Sequence, residues 1–515
     1  MLYGIFEPLL FVKTGTLARI ISIEALHLMN YWPLLFAWTV LLYWPIVSPG
    51  QSFSGLVHGG AKNDIGYSLA LTNDGGYIVA GTSRSYGAGS EDIFVVKFTA
   101  SGGLQWCKTI GFEHQDYLQK IIPTKDGNYA LIGSNWDGGT PNLSFYLAKI
   151  SPAGELLWSN IYGGNHRDLA FSGKELPNGG FALVGYTRSY GLLGDILFVK
   201  TDAGGNELWS ENYGTEFKDY GFDVLPISDG YILLGTTSGF YGHVSVDFRA
   251  HDADILMVKT DMNGQEQWRL QHGDSAHDFG KSVLQADDGG YYIFGSSQNN
   301  SAGSFDMLLL KTDANGNELW SETYGGTDFE YGESIDVSPD NYLYLFGTTN
   351  TFGVNGDPDF YLVKTDLQGN EIWSLTIGGN GSDYGYEVVA TPDSGCALAG
   401  STSSFGQGQS DFYFIKLDKY GNFQIFSPQS GNATGYRVNV YPNPVTEKSI
   451  MEIEGSEKCE GFELLIHDVA GKLVRNEQIT SSRAFISKEF LSSGAYIYQV
   501  TATDSSVITG KFIIK

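Results

Sequence analysis

Cysteine and basic residues are both scarce in this chain of 515 residues. The three cysteines are Cys107, Cys396 and Cys459, which are too few for a disulfide framework and form no C-x-x-C metal motif. A single bridge between Cys107 and Cys396 remains open. Lysine and arginine together number 31 against 58 acidic residues, which gives a formal net charge of −27. Bulk charge therefore argues against binding to nucleic acid or to an anionic membrane surface.

Proline is also sparse, whereas glycine and aromatic residues are abundant. The chain has 67 Gly, 31 Tyr and 31 Phe but only 15 Pro, and 17% of its residues are charged. This composition is typical of a turn-rich β protein and excludes a mainly helical one. A hydrophobic content of 42% is sufficient for a core and excludes wholesale disorder.

The first 50 residues differ in composition from the rest. No charged side chain of Asp, Glu, Lys or Arg occurs from Ala25 to Ala61, and this stretch contains the apolar run Tyr31–Val47. A membrane span needs about 20 residues. The shorter run favours the hydrophobic region of a secretory signal with cleavage before Gln51, and Met29 is an alternative start. An uncleaved anchor is the alternative, so residues 1–50 are predicted to be a signal peptide or signal-anchor region.

After this region the sequence repeats itself seven times at intervals of about 52 residues. A glycine at the end of an apolar segment, a lysine near the end of another, and an aromatic residue after a turn recur in phase. The glycines are Gly81, Gly133, Gly185, Gly235, Gly295, Gly347 and Gly400. Three markers with the same count define seven units.

Each unit has the pattern of four short strands. In the fifth unit these are Ser282–Ala286, Tyr291–Ser297, Asp306–Thr312 and a strand from Glu318, with Asp-Gly and Asn-Gly turns between them. Tandem four-stranded units indicate an all-β fold, a seven-bladed β-propeller over residues 51–427.

Two segments compete to close the ring and hide its open edges. Phe53–Gly60 and Asn422–Ser427 both carry the pattern of a fourth strand. The repeated lysine is expected to pair with a glutamate across the hairpin, as Lys311 with Glu318. A repeated acidic residue before each first strand is expected to cap its loop.

The units resemble a bacterial β-propeller repeat family with the pattern W-x-x-x-Y-G-G followed by D-G-N-x-Y-x-x-G-x-T. Trp320–Gly326 and Tyr342–Thr349 carry this resemblance. It covers about three quarters of the chain, and it implies the propeller fold but no particular activity.

The last part of the chain is predicted to be a separate domain. A polar linker at residues 428–437 precedes alternating apolar segments at residues 438–515, which indicate a small Ig-like β-sandwich. Their motifs and order resemble the type A sorting domain of the type IX secretion system of Gram-negative bacteria. The resemblance assigns transport-recognition or folding roles to Tyr441, Pro442, Asn443, Pro444, Asp468, Gly471, Lys472, Gly494 and Tyr496.

The same resemblance implies a route and a location. The protein would cross the inner membrane by the Sec pathway, and the type IX secretion machinery would carry it across the outer membrane. Removal of the sorting domain would then release it or attach it to surface lipopolysaccharide. We therefore expect a secreted or cell-surface protein of a Gram-negative bacterium.

The long loops of each unit are expected on one face of the ring, because tight hairpins occupy the other face. Trp136 interrupts the repeat, since N-W-D-G-G-T stands where other units have S-x-[YF]-G. We predict that Arg84, Tyr86, Trp136 and Arg188 form a patch for a glycan or protein ligand, in which rings stack on sugars and arginines bind carboxylates. The alternative is that these rings are buried under their own loops.

Enzyme motifs are missing from the sequence. No G-x-S-x-G or H-E-x-x-H pattern occurs, so no catalytic residue is predicted. A surface binding module is favoured, and an extracellular carbohydrate-active or other hydrolase and a structural surface component are the alternatives. No cofactor is predicted, although His and Asp residues in the insertion Phe240–Asp254 are of the type that binds divalent metals.

Overall fold

A computed structural model gives the architecture of residues 55–515, with gaps. The gaps are residues 89, 112–113, 137–141, 192, 238–252, 274–275, 299–303, 407, 425–436, 442–444, 446–447, 455–461, 469–471, 480–482, 489–490 and 502–506. The predicted signal region, most of the insertion Phe240–Asp254 and nearly all of the linker therefore lie outside the described residues. Within the described part, no helix has the length and apolar character needed to cross a membrane.

The described chain consists of strands and one short 3-10 helix, Val354–Gly356. The first 28 strands are β1 Leu56–His58, β2 Asp64–Leu71, β3 Tyr77–Ser83, β4 Asp92–Phe98, β5 Leu104–Ile110, β6 Asp116–Pro123, β7 Tyr129–Asn135, β8 Ser144–Ile150, β9 Leu156–Tyr162, β10 Asp168–Glu175, β11 Phe181–Thr187, β12 Asp195–Thr201, β13 Glu207–Tyr213, β14 Asp219–Ile227, β15 Gly230–Thr237, β16 Asp254–Asp261, β17 Glu266–His272, β18 Asp278–Gln285, β19 Tyr291–Ser297, β20 Asp306–Thr312, β21 Glu318–Tyr324, β22 Glu330–Val337, β23 Leu343–Thr349, β24 Asp359–Thr365, β25 Glu371–Ile377, β26 Asp383–Ala390, β27 Cys396–Thr402 and β28 Asp411–Leu417.

These strands form seven antiparallel sheets of four strands each, which are the seven predicted blades. Six blades use four consecutive strands, from β2–β5 to β22–β25. The seventh consists of β26, β27, β28 and β1, so the ring is closed by a strand from before the first blade. Closure of the ring protects the edges of the sheets, through which open sheets would otherwise pair and aggregate.

Both predicted closing segments contribute to the last blade. Strand β1 pairs with Phe412–Phe414 of β28. Phe423 forms a bridge with Leu417 farther along the same strand, and Gln424 N donates a hydrogen bond to Lys416 O at 2.8 Å. The two segments therefore share the outer edge of β28, where the sequence predicted competition between them.

The first strand of every blade contains a β-bulge at the same place. In the first blade Gly66 is opposite Gly81 and Ser68 is opposite Ala80, so Tyr67 has no opposite partner. A bulge turns the side chains of a strand and ends regular alternation. For this reason β18 begins four residues before the predicted Ser282, whereas β19, β20 and β21 begin where predicted. The bulged residues are Tyr67, Gln119, Phe171, Phe222, Lys281, Glu333 and Tyr386.

The core lies between neighbouring blades. The second strand of each blade is buried along its whole length, and apolar clusters combine residues of two adjacent blades. The repeated glycine is explained by crowding, because a Cβ on Gly81 would overlap the carbonyl oxygen of Ile65 on the adjacent strand. The repeated tryptophan packs on the next blade, since Trp106 ring carbons lie 2.9 Å from where a Cβ on Gly154 would stand.

The repeated lysine has a different partner from the one predicted. Lys311 Nζ lies 2.9 Å from Asp288 Oδ2, on the turn between the first two strands, and does not pair with Glu318. A second bulge places Lys311 opposite Trp320 and Glu318 opposite Thr312, which separates the two charges. Lys97 and Asp74 form the equivalent pair in the first blade at 2.7 Å. The Cys107–Cys396 bridge is also absent, since both are free thiols.

The C-terminal strands form two sheets. The strands are β29 Arg437–Tyr441, β30 Lys448–Glu454, β31 Phe462–Asp468, β32 Leu473–Ile479, β33 Arg483–Ser487, β34 Gly494–Thr501 and β35 Val507–Ile514. One sheet has the order β29-β30-β33 and the other β32-β31-β34-β35. Met451 and Ile486 of the first sheet share a buried core with Leu464 and Phe512 of the second. This arrangement is the predicted β-sandwich.

Candidate binding surface and axial cavity

The loop that enters each blade meets the loop between its second and third strands. Arg84 N donates a hydrogen bond to Asn63 O at 2.9 Å, and Arg188 N donates to Arg167 O at the same distance. Trp136 N donates to Gln115 O at 3.0 Å in the second blade. The two kinds of long loop therefore lie together on one face of the ring, as the sequence predicts. We call it the long-loop face.

Buried acidic residues hold these loops in place. Asp168 is fully buried at the start of β10, and its carboxylate accepts hydrogen bonds from Gly164 N at 2.8 Å and Ser189 Oγ at 2.7 Å. Thr187 Oγ1 donates to the same carboxylate. This is the loop-capping role predicted for the repeated acidic residue, and it gives the loops a rigid base.

Arg84 and Tyr86 have partners in the first blade and next to the closing strand β1. Arg84 Nε donates a hydrogen bond to Glu91 Oε1 at 2.7 Å, although about half of the arginine side chain is exposed. The Tyr86 hydroxyl donates to Gly59 O at 2.8 Å, and its ring stacks on Phe94 with centroids 4.9 Å apart. Tyr86 therefore anchors its loop, and Arg84 is held by an ion pair.

Trp136 lies on the second blade, where its ring stacks on His114. The two ring centroids are 4.5 Å apart and the planes differ by 27°. Both residues are half-buried. Residues 137–141, which follow Trp136, lie outside the described residues.

Arg188 is exposed on the third blade beside Arg167, which is also exposed. Within the described residues neither guanidinium forms an ion pair. The rings of Tyr186 and Tyr220 stack next to them, with centroids 4.5 Å apart and planes 18° apart. Burial raises the pKa of Tyr220 to about 12, and the positive charges of Arg167 and Arg188 oppose this rise. We call these four residues the arginine–tyrosine sector.

The four residues predicted from the sequence are thus distributed over three blades, each with its own partners. Arg167 and the two tyrosines complete the surroundings of Arg188 and were not part of the predicted patch. Tyr186 stands at a repeat position where most units have Ser or Thr, and this departure is the feature that would have pointed to it.

A cavity of about 110 Å³ lies on the ring axis, surrounded by the first strands of all seven blades. Its walls are the bulged residues and, in six blades, the residue that follows each of them. These positions differ from blade to blade, while the glycine before them recurs in five of the seven. The sequence prediction missed this site, because it considered the loops as the place where units become individual.

Charged groups inside the cavity form ion pairs across blades. Lys281 Nζ lies 3.1 Å from Glu333 Oε2 and 4.6 Å from the centroid of the Phe222 ring. Lys120 on the second blade is paired with Glu387 on the seventh. Burial lowers the pKa of Lys120, but attraction to Glu387, Asp223 and Asp336 together outweighs burial and raises it. These groups are dissimilar and converge on the axis, which is the arrangement expected of a site and not of a repeated scaffold.

A pair of buried carboxyl groups lies at the junction of the sixth and seventh blades. Burial raises the pKa of Asp359 to about 7, and the neighbouring Asp383 adds to the rise. Burial also raises the pKa of Asp383. Two buried carboxyl groups in contact do not both ionise readily, so this pair holds a proton below neutral pH. Within the described residues, no group of three His, Cys, Asp or Glu side chains is placed to hold a metal ion.

The predicted sorting residues that the structure describes lie at turns and in the core of the sandwich. Asp468 and Lys472 close the β31–β32 hairpin, with Asp468 N donating to Lys472 O at 3.0 Å. Tyr496 is buried, and its hydroxyl donates to Ser492 O at 2.8 Å. Gly494 begins β34 and Tyr441 ends β29. Pro442, Asn443, Pro444 and Gly471 lie outside the described residues.

A family model described as "Secretion system C-terminal sorting domain" matches residues 439–515. The chain therefore carries the sorting domain that the sequence motifs indicated. This domain implies export by the type IX secretion system to the cell surface or beyond.

The ring is similar to proteins of several kinds. An uncharacterised WD repeat-containing protein of Acanthamoeba polyphaga mimivirus is 20% identical over 448 residues, which are 73% of this chain and 31% of that protein. The chain thus spans about a third of the length of this curated relative. The extracellular domain of BT4673 from B. thetaiotaomicron has a TM-score of 0.40 and 12% identity, with 90% of this chain and 58% of that chain covered. The Pan2 WD40 domain of Neurospora crassa has a TM-score of 0.42 and 10% identity, with 71% and 91% covered.

Proposed function

We propose that the protein is an exported binding module whose ring binds an acidic glycan through the arginine–tyrosine sector. The supporting observation is a pair of adjacent, exposed arginines that form no ion pair among the described residues of a protein with a net charge of −27. A carboxylate or sulfate bound between the two side chains would be attracted by both positive charges. Arginine suits such a ligand because its planar group binds both oxygens of a carboxylate.

The tyrosine pair supports a glycan as the ligand. The Tyr220 ring is half-buried and stacked on Tyr186, so it offers a rigid aromatic surface beside the arginines. Aromatic rings contact the apolar faces of sugars while their hydroxyl groups remain hydrated. Burial raises the pKa of both tyrosines, so their hydroxyl groups stay protonated at neutral pH and are poor nucleophiles. The sector therefore favours binding over hydrolysis.

The domain boundaries form part of the proposal. Residues 1–50 are proposed to direct the chain to the Sec pathway, residues 51–427 to form the binding ring, and residues 428–437 to be a linker. Residues 438–515 are proposed to engage the type IX machinery and to be removed after transport, which would leave the ring as the mature protein. Attachment to surface lipopolysaccharide or release would both present the long-loop face to extracellular glycans.

Binding of the full chain to polygalacturonate, heparin and neutral dextran tests this function. The wild-type protein is expected to bind the two acidic polymers and not dextran, with weaker binding at high salt because the attraction is electrostatic. Arg167→Ala/Arg188→Ala is expected to reduce the affinity at least tenfold. Arg84→Ala is the matched control, because the Arg84 guanidinium is already paired with Glu91. This variant should change the affinity less than threefold.

The proposal fails if the double variant binds both acidic polymers as the wild type does, or if dextran binds equally well. Binding of polyglutamate in preference to both polysaccharides would replace the glycan by an acidic protein partner.

A further inference from the structure

The axial cavity combines aromatic walls with an excess of carboxylates. Tyr67 and Tyr386 lie on one side with ring centroids 4.9 Å apart, and Phe171 and Phe222 lie on another with centroids 5.3 Å apart. The lining carries three carboxylates and two ammonium groups, from Asp223, Glu333, Glu387, Lys120 and Lys281. Aromatic faces are electron-rich and attract cations. Both features make the cavity favourable for positive charge.

The protein already places one ammonium group in this environment. Lys281 Nζ lies over the Phe222 ring at 4.6 Å and beside the Glu333 carboxylate at 3.1 Å. This combination of an aromatic face and a carboxylate is the one by which proteins recognise ammonium ligands. One aromatic and acidic part of the cavity is therefore already paired with an internal cation.

The tyrosine pair and Glu333 line the same cavity from neighbouring blades, since Tyr67 is on the first blade, Tyr386 on the seventh and Glu333 on the sixth. The negative charge of Glu333 also acts on both hydroxyl groups, whose pKa values are raised mainly by burial. Among the described residues, no lysine or arginine stands over either tyrosine ring. The Tyr67–Tyr386 pair and Glu333 thus form an aromatic and acidic corner with space for a second cation.

Two acidic residues of the cavity, Glu387 and Asp223, each follow a bulged residue and have a structural role. Glu387 accepts hydrogen bonds from Ser68 Oγ and Leu69 N and pairs with Lys120, which ties the seventh blade to the first and second. Asp223 accepts from Ser172 Oγ at 2.8 Å and Val283 N at 3.2 Å. These bonds close the ring at the axis.

Size and access limit the ligand. A cavity of about 110 Å³ admits a compound of several heavy atoms and excludes a polymer. About a quarter of the Glu333 and Lys281 side chains is exposed, so solvent reaches the acidic corner.

We infer that the axial cavity is a second binding site, which takes a small ammonium compound with its cationic head between Tyr67, Tyr386 and Glu333. This site is independent of the arginine–tyrosine sector, which attracts the opposite charge. A small organic cation and an acidic polymer would then bind to different parts of the same ring.

Calorimetric titration of the full chain with choline and with 3,3-dimethylbutan-1-ol tests this inference. The two probes have nearly the same shape, and only choline is charged. Choline is expected to bind at least tenfold more tightly than the neutral alcohol at constant ionic strength. Equal binding of the two, or binding of neither, would overturn the inference.

Two variants of one ion pair should change the affinity in opposite directions. Glu333→Gln removes the carboxylate and is expected to weaken choline binding at least tenfold. Lys281→Gln removes the internal cation, leaves Glu333 without its partner, and is expected to strengthen choline binding about tenfold. A purely structural ion pair would give no gain in the second variant, so unchanged or weaker binding there contradicts the inference.

Controls keep the result separate from folding. Glu318→Gln makes the same change at an exposed residue outside the cavity and should change choline affinity less than threefold. If Glu333→Gln lowers the melting temperature strongly, the double variant Lys281→Gln/Glu333→Gln removes both charges together. It is expected to remain folded and to bind choline no better than the neutral alcohol, and a retained preference for choline would refute the site.

Discussion

The inside of the blades and the ring axis show opposite behaviour across the seven units. Inside the blades the same residue types recur in phase, and a contact explains each of them. Gly81 is crowded by the backbone of Ile65, and Trp106 packs on the turn at Gly154. At the axis the bulged position holds Tyr, Gln, Phe, Phe, Lys, Glu and Tyr in turn. Repetition therefore marks the scaffold, and loss of repetition at a position with constant geometry marks a place for a site.

The sharpest way to separate the ring from the sorting domain is to remove residues 438–515. The truncated protein is expected to stay in the periplasm, because the sorting domain implies type IX export. The melting temperature of the ring should not change, since the strands of its blades all precede residue 418. Cell fractionation and thermal unfolding measure the two effects.

Lys311→Met in the ring is the matched control, and it should be exported normally. Recovery of the truncated protein outside the cell would remove the sorting function from the C-terminal domain.

Crowding at the repeated glycine predicts a large loss of stability. Gly81→Ala should destabilise the ring by about 3 kcal/mol, because the new methyl group overlaps a backbone carbonyl that cannot move aside. Gly75→Ala is the matched control. It has a positive φ of 79° but open space around it, so we expect only the conformational cost of about 1 kcal/mol. Urea unfolding compares the two, and equal losses would show that crowding is not the cause.

The carboxyl pair at Asp359 and Asp383 predicts a pH dependence. In the folded ring the pKa of Asp359 is about 7, whereas its usual value is 3.8. Between pH 3.8 and pH 7 the folded ring therefore holds a proton that the unfolded chain has released. Stability should therefore fall as pH rises from 4 to 7, with a slope of at most about 1.4 kcal/mol per pH unit for each proton that the folded pair holds in excess. Above pH 7 the contribution of the pair is constant.

Asp359→Asn removes this titration while preserving the size of the side chain. Unfolding measured from pH 5 to pH 8 should give a flatter profile for this variant than for the wild type. Identical profiles would show that the pair carries no excess proton.

The corrected partner of Lys311 predicts the smallest effect. Lys311→Met should cost about 1 kcal/mol, since the buried lysine loses its bonds to Asp288 and to Thr312 O. Glu318→Gln should change stability by less than about 0.5 kcal/mol, because Glu318 is exposed and is not the partner of Lys311. Chemical denaturation of the two variants decides between the structure and the cross-hairpin pairing that the sequence suggested.

The sequence predicted the fold well because its markers reflect local physics. Asp-Gly and Asn-Gly turns and apolar runs located β19 and β20 to the residue. The count of seven follows from the repeat, whereas the shared closure by β1 and Phe423 depends on distant pairing that no local pattern reports. The error at Lys311 and the predicted start of β18, which was four residues too late, have one cause. β-bulges shift side chains by one position, and alternation alone does not show where they occur.

The sites were harder to predict, because they are assembled from different blades. Arg188 was predicted from the sequence and is exposed, but its neighbours Arg167, Tyr186 and Tyr220 come together only when loops and strands of two blades meet. The axial cavity draws one position from all seven units. An alignment of the units shows this position as variable, and only the closed ring shows that the variable residues face each other.

The central claim is that individual positions serve binding and repeated positions serve folding. Thermal unfolding and polygalacturonate binding measured together for Arg167→Ala/Arg188→Ala and for Gly81→Ala test it most directly. The account predicts at least a tenfold loss of affinity with an unchanged melting temperature for the first variant. For the second it predicts a melting temperature lower by several degrees, with normal binding below the transition. A lower melting temperature with unchanged affinity in the arginine variant would contradict the account.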